Sequence, residues 1–146
     1  MTNLCDIKGL SVNVGGLTLT HSSSSPLREW SIRPRGLNKS LKRRAVFRWL
    51  HRQNSSFIFL QETYSSKECE NTWRAEWGGE IVFSLSTNHC KGTIILFHPK
   101  LNFKIEKQIT DKNGRYIILD GMFADTRLVL VNIYAPNDVR QQVFFS

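Results

Sequence analysis

The chain has 146 residues, 40% of them apolar and 11% aromatic, enough for one folded domain and too apolar for wholesale disorder. Lys and Arg number 20 against 12 Asp and Glu, giving a net charge of +8 and a pI near 9.8, a balance suited to a polyanion such as nucleic acid. Cys5, Cys69 and Cys90 are odd in number and lack metal-ligand spacing, which excludes a disulfide framework and a zinc site and fits free thiols. With no secretory signal and no apolar window approaching ~18 residues, the chain reads as a soluble intracellular protein without a membrane partner.

In chain order, Leu10-Ser-Val-Asn-Val14 alternates apolar and polar and predicts a first strand running into Gly15-Gly16. Residues 18–34 hold four consecutive serines, two prolines and few apolar side chains, and read as a loop, a disordered insertion in the domain. Asn38 or Ser40 can cap a helix over residues 41–53. Its apolar stripe is Leu41, Ala45, Val46, Trp49 and Leu50, with Trp49 in the core. The basic run from Lys39 to Arg52 then reads as a solvated helix face.

A short buried strand follows at residues 57–60, and Trp73 and Trp77 mark a short helix. Residues 80–85 and 92–97 predict neighbouring strands. Residues 103–109 alternate, and Asp111-Lys-Asn-Gly114 carries the left-handed Asn-Gly turn signal. Residues 116–123 and 127–134 predict a second hairpin around Asp125-Thr126, ended by Ala135-Pro136 because proline cannot donate to a ladder. The order strand, helix, strand, then successive antiparallel strands predicts an α/β (α+β) fold with mixed, largely antiparallel sheets.

The chemistry-bearing residue is Glu62. It follows the apolar run Phe57-Ile-Phe-Leu60, where a buried strand leaves its sheet. A carboxylate there is costly to bury alone and calls for a basic partner or a cation. His89 beside Cys90 resembles a metal site only superficially.

Four pieces in order resemble the endonuclease/exonuclease/phosphatase family: Leu10-Ser-Val-Asn-Val14, Phe59-Leu-Gln-Glu-Thr63, Lys91-Gly-Thr-Ile-Ile-Leu96 and Asn132-Ile-Tyr-Ala-Pro-Asn137. Arg35-Gly-Leu-Asn38 and Gly114-Arg-Tyr-Ile117 point to the endonuclease domains of non-LTR (LINE-type) retrotransposons. The resemblance implies the N-terminal part of a four-layered αββα sandwich, incomplete at its C-terminus, with helices outside and the site at one end of the two sheets. It implies Mg²⁺- or Mn²⁺-dependent phosphodiester hydrolysis of DNA and, with it, a nuclear location.

By that resemblance Glu62 is the metal-binding glutamate, and Asn13 hydrogen-bonds around metal and phosphate. Tyr134 contacts the scissile phosphate, Asn137 binds substrate beside it, and Arg115 and Tyr116 belong to a structural signature. The family's Gly-Asp-x-Asn and Ser-Asp-His motifs are absent from the 146 residues, so the resemblance implies a catalytically incomplete fragment. Asn13-Val-Gly-Gly-Leu17 and Arg35-Gly-Leu-Asn38 each carry part of one family junction, an interruption that a lineage-specific loop or a splicing artefact would produce. A sheet face deprived of its packing partner implies marginal stability or association. Two other readings are a non-catalytic basic nucleic-acid-binding remnant and a family phosphatase acting on a small phosphorylated substrate.

Overall fold

Aromatic and β-branched residues dominate Phe57–Gln61 and Thr93–Phe97, and both segments are strands buried at every position. In the computed structural model, which describes residues 9–14, 17–22, 29–86 and 91–134, they form the centre of a four-stranded sheet. The elements in chain order are β1 (Gly9–Val14), β2 (Leu17–Ser22), β3 (Glu29–Ile32), α1 (Ser40–Arg52) and β4 (Phe57–Gln61). A single 3-10 turn (Lys67–Cys69) leads into α2 (Glu70–Trp77). Then come β5 (Ile81–Ser84), β6 (Thr93–Phe97), β7 (Phe103–Thr110), β8 (Tyr116–Phe123) and β9 (Thr126–Ile133).

One sheet has the order β3-β4-β6-β5 and the other β2-β1-β9-β8-β7. The β3–β4 and β1–β9 pairs are parallel and the remaining pairs antiparallel, so the mixed α/β expectation holds. The β8–β9 hairpin is tighter by one residue than the sequence suggests. Phe123 pairs with Thr126, leaving Ala124-Asp125 as the turn.

Side chains alternate across a strand, and both faces of β4 and β6 are covered. Ile58, Leu60, Ile94 and Leu96 pack with Phe47 and Leu50 of α1 and with Trp73 and Trp77 of α2. Phe57, Phe59, Ile95 and Phe97 pack instead with Ile117, Leu119, Leu128 and Leu130 of the second sheet. The described residues therefore form three layers, helices on sheet on sheet. Each fully buried side chain of this size contributes roughly 2 kcal/mol. On the outer face of the second sheet, Ile118, Met122, Val129, Val131 and Ile133 are only half-buried.

Two expectations are corrected. Within the segment read as a loop stand β2 and β3. β2 pairs antiparallel with β1, Val14 opposite Leu17, and β3 runs parallel to β4. The alternating pattern of Leu17-Thr-Leu-Thr20 and the Trp30/Ile32 pair satisfy a strand period that the serines and prolines obscured.

The second correction concerns α1. Its N-cap is Lys39, without a side-chain cap bond, rather than Asn38 or Ser40. Its buried residues are Arg43, Phe47 and Leu50, with Val46 packed beside them. Arg43 displaces the expected stripe because Glu76 of α2 accepts from its guanidinium Nε and Nη2 at 2.5 and 2.8 Å. Leu37 and Asn38 carbonyls take Nη1. The hydrogen bonds and charge of Glu76 hold the guanidinium ionised, with its pKa raised. At 3.6 residues per turn, burying 43, 47 and 50 puts 41, 45 and 49 outside. Leu41 is 82% and Trp49 38% exposed, so Trp49 is not a core residue.

Candidate active site

The layer between the sheets is apolar for most of its length and polar at one end. On β4 the inward series Phe57, Phe59 continues to Gln61; on β9, Leu128 and Leu130 continue to Asn132. Thr93 stands opposite Gln61 in the β4–β6 register. All three polar residues are fully buried.

Asn132 ties the sheets together there. Its Nδ2 donates to the carbonyls of Leu60 at 3.1 Å and Ile94 at 3.0 Å. Only an amide nitrogen can face two carbonyls, so Oδ1 must turn toward Gln61. Gln61 Nε2 donates to that Oδ1 at 3.1 Å and to the carbonyl of Ile133 at 2.7 Å. The network thereby fixes both amides, and leaves Gln61 Oε1 and Thr93 Oγ1 as buried oxygens without a hydrogen-bond partner among the described residues.

Immediately beyond this network lies Glu62, and the residue beyond Ile133 is Tyr134. The Tyr134 hydroxyl donates to Glu62 Oε1 at 3.1 Å, joining the ends of β4 and β9 across the sandwich. Glu62 has φ 54° and Tyr64 φ 56°, the left-handed region that costs a non-glycine residue on the order of 1 kcal/mol. Backbone bonds hold them there: Gly36 N–H donates to the Glu62 carbonyl at 2.6 Å, Leu37 N–H to that of Thr63, and Tyr64 N–H to that of Lys91. Gly36 has φ 94°, and a Cβ there would collide with the Tyr64 ring, so glycine is required beside the acid.

Tyr134 is held from its other side. Its N–H donates to the Arg115 carbonyl at 2.6 Å, while Arg115 Nε donates to Asp111 at 2.7 Å. The Gly114-Arg115-Tyr116 signature is thus a structural support of the Tyr134 backbone. The Arg33 guanidinium lies 5.7 Å from the Tyr134 ring centroid. Burial, the hydrogen bond to Glu62 and the charge of Glu62 push the phenol up to about 12, with Arg33 opposing. At neutral pH it is a fixed hydrogen-bond donor.

The sign of the pH dependence follows. The folded state holds this proton more tightly than an unfolded phenol near 10, so its contribution is complete below pH ~10 and is lost as pH rises toward about 12. Tyr134 is expected to titrate late in ultraviolet absorbance, and Tyr134→Phe is expected to remove that transition. A late transition that survives in Tyr134→Phe would contradict the placement.

Asn13 falls beside Asn132 in the parallel β1–β9 register, so its backbone is at the same end as Glu62. Asn137 lies outside the described residues. Among the described residues no group of three His, Cys, Asp or Glu could hold a metal. The charged oxygen ligand present there is the Glu62 carboxylate, which also accepts from Tyr134. One carboxylate with neutral oxygen donors suits Mg²⁺, which keeps several waters and binds through one or two carboxylates plus substrate phosphate. It does not suit a structural zinc site, which is built from four Cys and His ligands.

Solved structures share this two-sheet fold. The endonuclease domain of TRAS1, a telomere-specific non-LTR retrotransposon, superposes with a TM-score of 0.54 and 14% identity over 78% of this chain and 48% of its own. An AP endonuclease from Archaeoglobus fulgidus gives 0.52 and 17%, over 75% of this chain and 41% of its own. The chain has the endonuclease/exonuclease/phosphatase fold. In sequence, it is 30% identical over 91 residues to a Xenopus laevis protein, the transposon TX1 uncharacterized 149 kDa protein, covering 62% of this chain and 7% of that one. No family model matches the chain. The chain thus spans less than half of each of these proteins.

Glu62 and Tyr134, both singled out from the sequence, are brought together by their hydrogen bond, whereas Gln61, Asn132 and Arg33 beside them were not singled out. A signal for two of these was present. Gln61 and Asn132 are polar residues on the inward phase of otherwise apolar strands, where only a satisfied partner permits burial. Among the described residues no helix is long and apolar enough to cross a membrane.

Proposed function

We propose that the Glu62–Tyr134 end of the sandwich is part of a divalent-metal phosphodiesterase site acting on DNA. The observation that carries this reading is the Tyr134 hydroxyl on the Glu62 carboxylate at 3.1 Å, at the polar end of two packed sheets. In this reading Glu62 is the protein carboxylate for Mg²⁺ or Mn²⁺, with water and substrate phosphate as the remaining ligands. Such a metal supplies Lewis-acid polarisation of a phosphoryl oxygen and neutralises charge on the leaving oxygen.

The chain's own residues bind and orient. Tyr134 stays protonated and offers its O–H to a phosphate oxygen or to Glu62. Arg33, against the Tyr134 ring, adds positive charge beside that phosphate. Asn13 and Asn137 are assigned to the substrate side by family resemblance. The left-handed backbone at Glu62 sets the carboxylate in place before substrate arrives, which favours preorganisation.

The 146 residues contain neither Gly-Asp-x-Asn nor Ser-Asp-His, so we expect them to bind metal and DNA and to hydrolyse poorly alone. Losing such groups costs orders of magnitude in rate. With Mg²⁺ and supercoiled plasmid, nicking by this chain is expected to stay near the buffer background. Robust nicking that Glu62→Ala abolishes would overturn the incomplete-site reading. A second reading, a basic nucleic-acid-binding remnant, is favoured by the absence of any acid from Ser40–Arg52. It requires salt-sensitive binding indifferent to Mg²⁺ and to Glu62→Ala.

A further inference from the structure

α1 begins at the mouth of the site and runs away from it. Its leading segment is tied to the Glu62 end by Gly36 and Leu37, whose N–H groups donate to the carbonyls of Glu62 and Thr63. Its trailing end feeds directly into the start of β4, so it lies at the opposite end of that strand from Glu62. Between these ends the helix contains no acidic residue.

With Arg43 buried against Glu76, the remaining cations of α1 are exposed: Lys42, Arg44, Arg48 and Arg52. Arg44, Arg48 and Arg52 recur every fourth residue and form one ridge of ~12 Å at 1.5 Å rise per residue. A DNA strand carries one phosphate per ~3.4 Å of axis, so the ridge spans three to four phosphates. Beside it is a cleft of about 370 Å³ lined by Arg44, Phe47, Arg48, His51 and Glu76. The acid in that cleft is already neutralised. Glu76 is bound to Arg43 through two hydrogen bonds, and Arg44 stands farther off at 3.8 Å.

With no acid in the helix, the sequence expectation of a merely solvated face gives way to an exposed ridge of one sign of charge. Exposed Trp49 and Leu41 lie near the same ridge, but the apolar face of the helix, Phe47 and Leu50, is spent on the core. It therefore lacks the free apolar face that inserts into a bilayer. We propose that the Arg44–Arg48–Arg52 ridge is a second nucleic-acid contact, gripping the phosphate backbone apart from the Glu62–Tyr134 site. This rests on the reading of the partner as nucleic acid, and not on the metal chemistry assigned to Glu62.

The test compares wild type with Arg44→Gln/Arg48→Gln/Arg52→Gln, in which glutamine keeps helix propensity at three exposed positions. Affinity for a short DNA duplex of arbitrary sequence is measured against salt concentration. The plot of log affinity against log salt is expected to lose about 2–3 units of slope in the triple variant, roughly one per phosphate contact. At low salt its binding is expected to be at least tenfold weaker. An unchanged slope, or no duplex binding by the wild type at low salt, overturns the proposal. So does loss of binding to phosphatidylserine vesicles with duplex binding intact, which would make the ridge a membrane contact. If the slope falls as expected but Mn²⁺ binding is indifferent to Glu62→Gln, the metal reading fails and the ridge stands.

Discussion

Replacing Glu62 by glutamine is expected to weaken Mn²⁺ binding at least tenfold, about 1.4 kcal/mol, with little change in folding stability. The substitution removes a full negative charge while keeping shape and an oxygen acceptor, so Tyr134 O–H retains its partner. The backbone strain at φ 54° is unchanged, because it is set by the backbone hydrogen bonds from Gly36 to Glu62, from Thr63 to Gly92 and from Tyr64 to Lys91 rather than by the carboxylate. Stability measured by urea unfolding is therefore expected to move by less than ~0.5 kcal/mol.

One spectroscopic change should accompany the loss. The charge and hydrogen bond of Glu62 help raise the Tyr134 phenol to about 12, so in Glu62→Gln that group should titrate earlier, with burial alone still holding it up. A calorimetric titration with Mn²⁺ and an alkaline absorbance titration check the two halves. Unaltered Mn²⁺ affinity in Glu62→Gln would remove Glu62 from the metal site.

The second large effect is structural. Asn132→Ala is expected to destabilise the domain by about 3 kcal/mol. The substitution strips partners from the Leu60 and Ile94 carbonyls and from Gln61 Nε2, all in the layer between the sheets. Each buried group left unsatisfied costs ~1–3 kcal/mol, and the site is too enclosed for full rescue by water. Because the same network borders Glu62 and Ile133, weaker metal binding should accompany the lower urea midpoint. A change within ~0.5 kcal/mol would mean that the two sheets are held there by apolar contact alone.

The sequence was legible where one pattern dominated. The continuous apolar run of β4 and the alternation of β8 and β9 announced strands, and placing Glu62 and Tyr134 at strand ends put them in reach of each other. It misled where two signals competed. In β2 and β3 a period-two pattern of few residues was outweighed by neighbouring serines and prolines. In α1 a buried arginine turned the helix, because the Glu76 partner that permits its burial comes 33 residues later. The Asn132–Gln61 bridge was hidden for the same reason, its members being 71 residues apart.

The outer face of the second sheet shows the same limit of one-dimensional patterning. Ile118, Val129, Val131 and Ile133 alternate with the inward residues, yet they are half-buried among the described residues. Strand alternation tells which side a residue takes, and not what lies against that side.

The metal proposed here would bind at the polar end of the sandwich, at Glu62 and Tyr134. Paramagnetic broadening of backbone amide signals by substoichiometric Mn²⁺ tests it most directly. Broadening is expected to be confined to the neighbourhood of Glu62, Tyr134 and Asn132 in the wild type and to disappear in Glu62→Gln. Broadening centred elsewhere, or unchanged in that variant, would contradict it.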